Sequence, residues 1–193
     1  MGLKFSSVLR RALVSYGFYE AVNYSFYSPE MVLLLKLPET DERHRLVKIL
    51  NPLSAAQSVL RTSLIPSLLC NLKDNMHLRN RAFKFFEIAN VFYSTGMDSQ
   101  PLETQKIAGL TAGPQTEESW NKVNLPVCFF DIKGYVESLL KAVNIDSYHF
   151  EKTPVQPFLY PNKSLNISIN QEVTGFLGQI HPDILEKFDI EMD

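Results

Sequence analysis

Residues 82–93 gather Phe83, Phe85, Phe86, Phe92 and Tyr93 around one acid, Glu87. Aromatic side chains suit a pleated surface better than a helical turn, which crowds them. The stretch predicts a long strand buried on at least one face. Such a strand needs neighbours beside it and a layer packed across it. The rest of the chain offers both.

Residues 20–27 alternate with β-branched and aromatic side chains, 46–50 and 58–61 are short apolar runs, and 106–112 predicts a further strand. Strands are also expected at 127–131 and 148–151. Residues 164–169 alternate strictly, Asn170 and Gln171 turn the chain, and 173–180 returns as the second arm of a hairpin. Helical spacing places Leu3, Val8, Leu9, Ala12, Leu13 and Tyr16 on one face of 3–16, with Arg10 and Arg11 opposite and Gly17 suited to a left-handed C-cap. A short helix opens at Ser28, Pro29 and Glu30 and runs out near 36–38. From Ser63, a stripe of Leu64, Ile65, Leu68, Leu69, Leu72 and Met76 predicts another, with Pro66 in its first turn. Two more are expected at 132–143 and from His181 through Phe188. Residues 38–45 read as a solvated loop, 53–57 as a loop, and the surroundings of Trp120 as a polar stretch. Helices come singly between strands, with no sustained βαβ alternation. The expectation is an α+β fold, one mostly antiparallel sheet flanked by helices, as a single domain over 1–193.

Charge and cysteine usage narrow the function classes. Nineteen Lys and Arg stand against 21 Asp and Glu, a net charge of -2. That balance argues against a dedicated nucleic-acid binder, whose affinity rests on surplus cations. Cys70 and Cys128 both lie in apolar sequence and read as buried small hydrophobes of a reducing compartment, hence a cytoplasmic protein. No apolar run approaches the ~20 residues that span a bilayer, so no membrane partner is expected.

Few residues announce chemistry. His44, His77, His149 and His181 are isolated, which gives no metal-ligand spacing, and the glycines form no phosphate loop. Glu87 sits among aromatics, where a desolvated acid is either catalytic or paired with a buried arginine, and Arg61 is a possible partner. The run His77-Leu-Arg-Asn-Arg-Ala-Phe-Lys84 makes Arg79, Arg81 and Lys84 a candidate basic contact patch, facing phosphate, a partner's acids or a helix end.

One long segment is more specific. Asn51-Pro-Leu-Ser-Ala-Ala-Gln-Ser-Val-Leu-Arg-Thr-Ser-Leu-Ile-Pro-Ser-Leu-Leu69, followed by Phe83-Lys-Phe-Phe-Glu-Ile-Ala-Asn-Val-Phe92, resembles the catalytic-like module of the bacterial phenylalanyl-tRNA synthetase beta subunit. Three further stretches agree in order: Arg11-Ala-Leu-Val-Ser-Tyr-Gly-Phe-Tyr-Glu-Ala-Val-Asn-Tyr-Ser-Phe26, Phe130-Asp-Ile-Lys-Gly134 and Gly175-Phe-Leu-Gly-Gln-Ile-His-Pro-Asp183.

The resemblance implies a class II synthetase-like fold that does not itself activate the amino acid. That site belongs to the alpha subunit, and the enzyme is an alpha-beta pair doubled into a heterotetramer. The holoenzyme attaches phenylalanine to its tRNA using ATP and magnesium, while this module holds no catalytic, cofactor or metal residue. Class II enzymes follow the strand 83–92 with an arginine and, two positions on, a glutamate; here Tyr93 and Thr95 stand there. Tyrosine cannot neutralise a phosphate as a guanidinium fork does. The third class II motif would lie beyond Asp193, so the chain is expected to be a fragment of a longer beta subunit. At Tyr160-Pro-Asn-Lys-Ser164 many relatives carry His-Pro-Gly-Arg-Ser, which leaves the role of that loop open here.

The first class II motif forms the subunit interface, so the resemblance marks Leu3, Arg10, Arg11, Leu13, Tyr16, Tyr24 and Phe26 as the candidate interface. The expected partners are the alpha subunit, other modules of the beta subunit and, through the holoenzyme, tRNA. The expected role is a non-catalytic structural and assembly module. Two alternatives stay open: an active class II-type adenylate-forming ligase with divergent residues, and a small RNA-binding module using 79–84.

Overall fold

The computed structural model describes residues 2–78, 81–96, 99–115, 125–152 and 156–191. Its first helix, α1 (Gly2–Ser15), ends where Gly17 takes φ 82°, which lets the Phe18 N–H reach the Leu13 carbonyl at 3.1 Å. The predicted strand 20–27 divides into β1 (Tyr19–Glu20) and β2 (Phe26–Tyr27). The division has a simple cause: β1 pairs parallel with one strand and β2 antiparallel with another, so the chain changes sheets between them. The short α2 (Glu30–Leu33) follows, with the Ser28 hydroxyl accepting from the Glu30 N–H at 3.3 Å.

Residues 38–45 are more than a solvated loop. They hold a short 3-10 helix, Glu42–His44, capped by the Asp41 carboxylate, which accepts from the Arg43 N–H at 2.9 Å. After β3 (Val47–Lys48), a second 3-10 helix (Ala55–Gln57) and β4 (Val59–Leu60) comes α3 (Ile65–His77), with its proline in the first turn. Then β5 (Phe83–Tyr93) and β6 (Leu102–Ala112) pair antiparallel in unbroken register, from Phe83 opposite Ala112 to Tyr93 opposite Leu102. β6 therefore starts four positions before the predicted 106. The polar residues 103–105 hide it from a pattern search, but backbone pairing does not need apolar side chains.

The polar stretch around Trp120 lies outside the described residues. The strand expected at 127–131 is instead the start of α4 (Phe129–Ala142). A short apolar run reads equally as strand or buried helix. The deciding feature is local: Asp131 accepts from the Cys128 N–H at 2.7 Å, which closes a capping box around the first turn. Cys128 is accordingly exposed, not buried, and Cys70 is half-buried. β7 (Tyr148–Glu151), β8 (Leu159–Ile169), β9 (Glu172–Ile180) and α5 (Pro182–Lys187) complete the order. The β8–β9 turn sets Asn170 at φ 52° and Gln171 at φ 68°, the left-handed pair that matches hairpin twist.

Among the described residues the strands form three three-stranded sheets, ordered β1-β5-β6, β2-β4-β3 and β7-β8-β9. Pairing is antiparallel except between β1 and β5, so the mostly antiparallel expectation holds while the single continuous sheet does not. β5 is buried on both faces. Phe83 packs with Leu69, Leu72, Phe158 and Ile184 in the main core, whereas Phe86 and Ile88 pack with Leu13 and Phe18 beneath α1 and α4. Each such aromatic contributes roughly 1.5–3 kcal/mol by leaving water. Two-sided burial explains why Phe85 and Phe86 sit adjacent instead of alternating with polar residues.

Candidate functional site

Glu87, on the face of β5 toward α3, carries the first polar cluster. Its carboxylate and the Arg61 guanidinium are each only 3% exposed and meet at 2.7 Å. The guanidinium makes two further bonds: Nε donates to the Asn90 carbonyl at 2.9 Å and Nη1 to the Tyr24 carbonyl at 3.3 Å. Glu87 also accepts from the Asn23 amide, Nδ2 to Oε2 at 2.9 Å, and from the Asn23 backbone N–H at 3.4 Å. The acid among aromatics is thus the paired structural one, not a free general acid.

That cluster holds residues 21–25, where the chain passes between two sheets. The Ala21 N–H reaches the Phe86 carbonyl at 2.7 Å and the Arg61 N–H reaches the Ser25 carbonyl at 2.9 Å. With Asn23 turned inward, Val22 and Tyr24 turn outward, 92% and 72% exposed. Tyr24 lies flat on Phe26, with centroids 5.1 Å apart and planes 11° apart. Leu50 and Leu53, at the tip between β3 and β4, are 96% and 92% exposed.

The other candidate interface residues divide. Leu3 lies on α1, with its side chain outside the described set. Arg10 pairs with Glu20 at 2.7 Å, and Arg11 is exposed, donating back to the Ser7 carbonyl at 3.4 Å. Leu13 belongs to the core with Phe18 and Phe86, so it presents nothing to a partner. Tyr16 is half-buried against Tyr135, 5.9 Å between centroids. Sequence reasoning missed Phe5, Val14, Tyr19 and Val22, all exposed apolar side chains in the first 22 residues. No signal marked them, because an apolar residue off the helical stripe looks like tolerated surface.

Of the candidate basic patch, two members can be placed. Arg79 lies outside the described residues, and Arg81 is exposed. Lys84 donates to the Tyr135 hydroxyl at 2.9 Å with its ammonium 5.2 Å from that ring. It sits on the face of β5 that packs under α1 and α4, where its charge is already engaged.

At the end of β5, Tyr93 is buried beside Leu64 and Val91, with the Arg45 guanidinium 5.9 Å above its ring. Burial pushes its hydroxyl above the ordinary tyrosine range. Thr95 donates to the Gln100 carbonyl at 2.9 Å. Nearby, Arg43 grips Asp41 with two bonds, 2.8 and 2.6 Å, donates to the Gln156 amide oxygen and covers the Phe158 ring at 5.6 Å. The Arg43 hydrogen bonds hold the Asp41 carboxyl below the usual carboxylate range. These groups border a mainly apolar cavity of about 1720 Å³, lined also by β6 and β9, each of which pairs with one strand among the described residues. Among the described residues no group of three or more His, Cys, Asp or Glu side chains is placed to hold a metal ion, and no helix is long and apolar enough to cross a membrane.

In the altered loop, Tyr160 stacks on His181 with centroids 5.8 Å apart, and the Lys163 ammonium lies 5.8 Å over the Tyr160 ring. The β8–β9 register breaks between Leu159 and Ser164. Gly178 lets the strands approach there, since a Cβ would fall 2.7 Å from that of Ser164.

Comparison with known proteins places this geometry in context. The family model described as "Phenylalanyl tRNA synthetase beta chain CLM domain" matches residues 2–193. Curated relatives, each named phenylalanine–tRNA ligase beta subunit, are 39% identical in Syntrophotalea carbinolica and 37% in Syntrophus aciditrophicus. Both matches cover 95% of this chain and 23% of the relative, so the chain spans about a quarter of the length of its curated relatives. Two structures of pyrrolysyl-tRNA synthetase from Desulfitobacterium hafniense superpose with TM-scores of 0.69 and 0.68 at 16% and 18% identity. They cover 98% of this chain and 60% and 62% of theirs, a likeness of fold.

Proposed function

Since the chain belongs to the phenylalanyl-tRNA synthetase beta-chain CLM family, we propose that it is a non-catalytic structural module through which a phenylalanine–tRNA ligase is assembled. In this reading the holoenzyme joins phenylalanine to its tRNA with ATP and magnesium in the cytoplasm. The module's partners are the alpha subunit and the other modules of the beta subunit, with tRNA met through the whole assembly.

The observation that carries the reading is Tyr93. It occupies the place where a class II enzyme needs a phosphate-binding arginine, and it is buried and uncharged. Arg43, bordering the cavity, is neutralised by a bidentate carboxylate and has little capacity left for an anion. Phosphate binding relies on preorganised cations, and of the three Lys and Arg side chains lining the cavity Arg43 is held by its acid and Lys163 lies over the Tyr160 ring, which leaves Lys106. The engagement of Lys84 with Tyr135 likewise weakens the reading as a small RNA-binding module.

Phenylalanine-dependent exchange between ATP and pyrophosphate tests this directly. The chain alone is expected to give no exchange above background. Robust exchange would overturn the non-catalytic reading in favour of a divergent active ligase.

A further inference from the structure

Pro182 opens α5 without an N–H, and the Ile184 and Leu185 N–H groups both reach the His181 carbonyl, at 2.9 and 3.2 Å. That leaves the Asp183 N–H, which goes to the His181 ring, 3.2 Å from Nδ1. A helix is usually capped by a side-chain oxygen, which keeps its lone pair near neutral pH. A ring nitrogen caps only while it carries no proton. We propose that His181 is a proton-operated catch. Neutral, its Nδ1 caps α5; protonated, the same nitrogen becomes a donor, leaves the Asp183 N–H and joins the Asp183 carboxylate and Lys36 in one ion-paired cluster.

The surroundings supply both states. Nδ1 already lies 3.3 Å from Asp183 Oδ1, so the second partner is in place and a small ring movement exchanges one for the other. Asp183 Oδ2 holds the Lys36 ammonium at 2.6 Å, a bond that keeps the carboxyl below the usual carboxylate range and so charged. The Tyr160 ring, from β8, stacks on the imidazole with planes 21° apart, which fixes the plane of the imidazole in either state. Lys163 lies over the same tyrosine. Among the described residues, the charged and titratable groups around the ring are thus Asp183 on α5, Tyr160 and Lys163 on β8, and Lys36 beyond α2. The His181, Lys36 and Asp183 side chains are 33%, 43% and 54% exposed, so the ring can take its proton from water. Histidine is the side chain whose charge changes most readily near neutral pH. The two states are unequal for the helix. A cap satisfies an orphan backbone donor, whereas an ion pair this exposed contributes little. Protonation therefore loosens the first turn of α5, while Ile184 and Phe188, buried in the main core, keep the rest seated.

The test is NMR of the isotope-labelled chain across pH. The neutral ring is expected to carry its proton on Nε2; a proton on Nδ1 would overturn the cap. As the ring protonates, followed by its own shifts, exchange of the Asp183 N–H with water is expected to rise about fivefold after correction for its intrinsic pH dependence. The Phe188 amide should keep its protection over the same range. His181→Asn caps without titrating and should hold the Asp183 exchange flat. His181→Phe keeps a ring beside Tyr160 without a cap and should show the raised rate at every pH. Asp183→Asn removes the acceptor of the protonated state and should move the ring's titration to lower pH. Asp183 exchange that stays constant through the ring's titration would overturn the catch. So would protection lost throughout α5 and β9 together, which is unfolding and not a local change. A titration left unmoved by Asp183→Asn would overturn the exchange of partners.

Discussion

Glu87 and Arg61 illustrate how unevenly single residues are worth their burial. Removing one partner, as in Glu87→Ala, strands a charge in the interior and should cost about 3–5 kcal/mol in chemical denaturation. Leu13→Ala is expected to cost about 2–5 kcal/mol, since Leu13 fills the space between Phe18 and Phe86. Val22→Ala, almost wholly exposed, should stay within about 0.5 kcal/mol. A denaturation series that ranked Val22 beside Leu13 would contradict the assignment of the two to outer face and core. Asp41 supplies a pH dependence. Its folded carboxyl is held below the unfolded value by Arg43, so its stabilisation is present above the unfolded value and lost as pH falls through the folded one. Asp41→Asn should therefore flatten the acid limb of the stability profile and leave neutral-to-basic pH dependence alone, measured by thermal melts across pH. The Glu87 pairing was legible because an acid among aromatics needs a partner, and Arg61 was the possible partner named for it. The division of α1 was not: a helical stripe tells which residues share a face, not how far the core reaches along it.

At the scale of elements, the strongest patterns were the longest. The aromatic run 82–93, the β8–β9 hairpin and the glycine stop after α1 were all visible, because each rests on local chemistry that packing does not alter. The start of α4 was not, since its apolar run suits either state and the cap at Asp131 is a side-chain event. The extended run 20–27 was visible in its alternation, but its division into β1 and β2 was not, since two-residue strands exist only through their partners. Gly178 gives a prediction at this scale. Gly178→Ala places a methyl 2.7 Å from Ser164 Cβ and 2.9 Å from the Lys163 carbonyl, so the bulged end of the β8–β9 pairing must open. Amide exchange should rise near 159–164 and 178–180 while β5 and β6 keep their protection. Uniform loss of protection would instead mean that the hairpin and the central strands unfold as one unit.

For the whole molecule, the exposed apolar side chains and the cleft are read together. The ends of α1, the 21–26 row and the 50–53 tip expose apolar side chains, while Arg43, which borders the cavity with Lys106 and Lys163, is engaged by its own acid. Contiguous exposed apolar surface marks an interaction site more often than a free surface. A synthetase-like fold that exposes apolar side chains at these places is suited to assembly. The measurement that bears most directly on this is multi-angle light scattering of the chain mixed with the alpha subunit from the same genome. A mixed peak of defined stoichiometry, weakened by Val22→Ala with Tyr24→Ala, is the predicted result. Separate elution of two folded proteins would contradict the account.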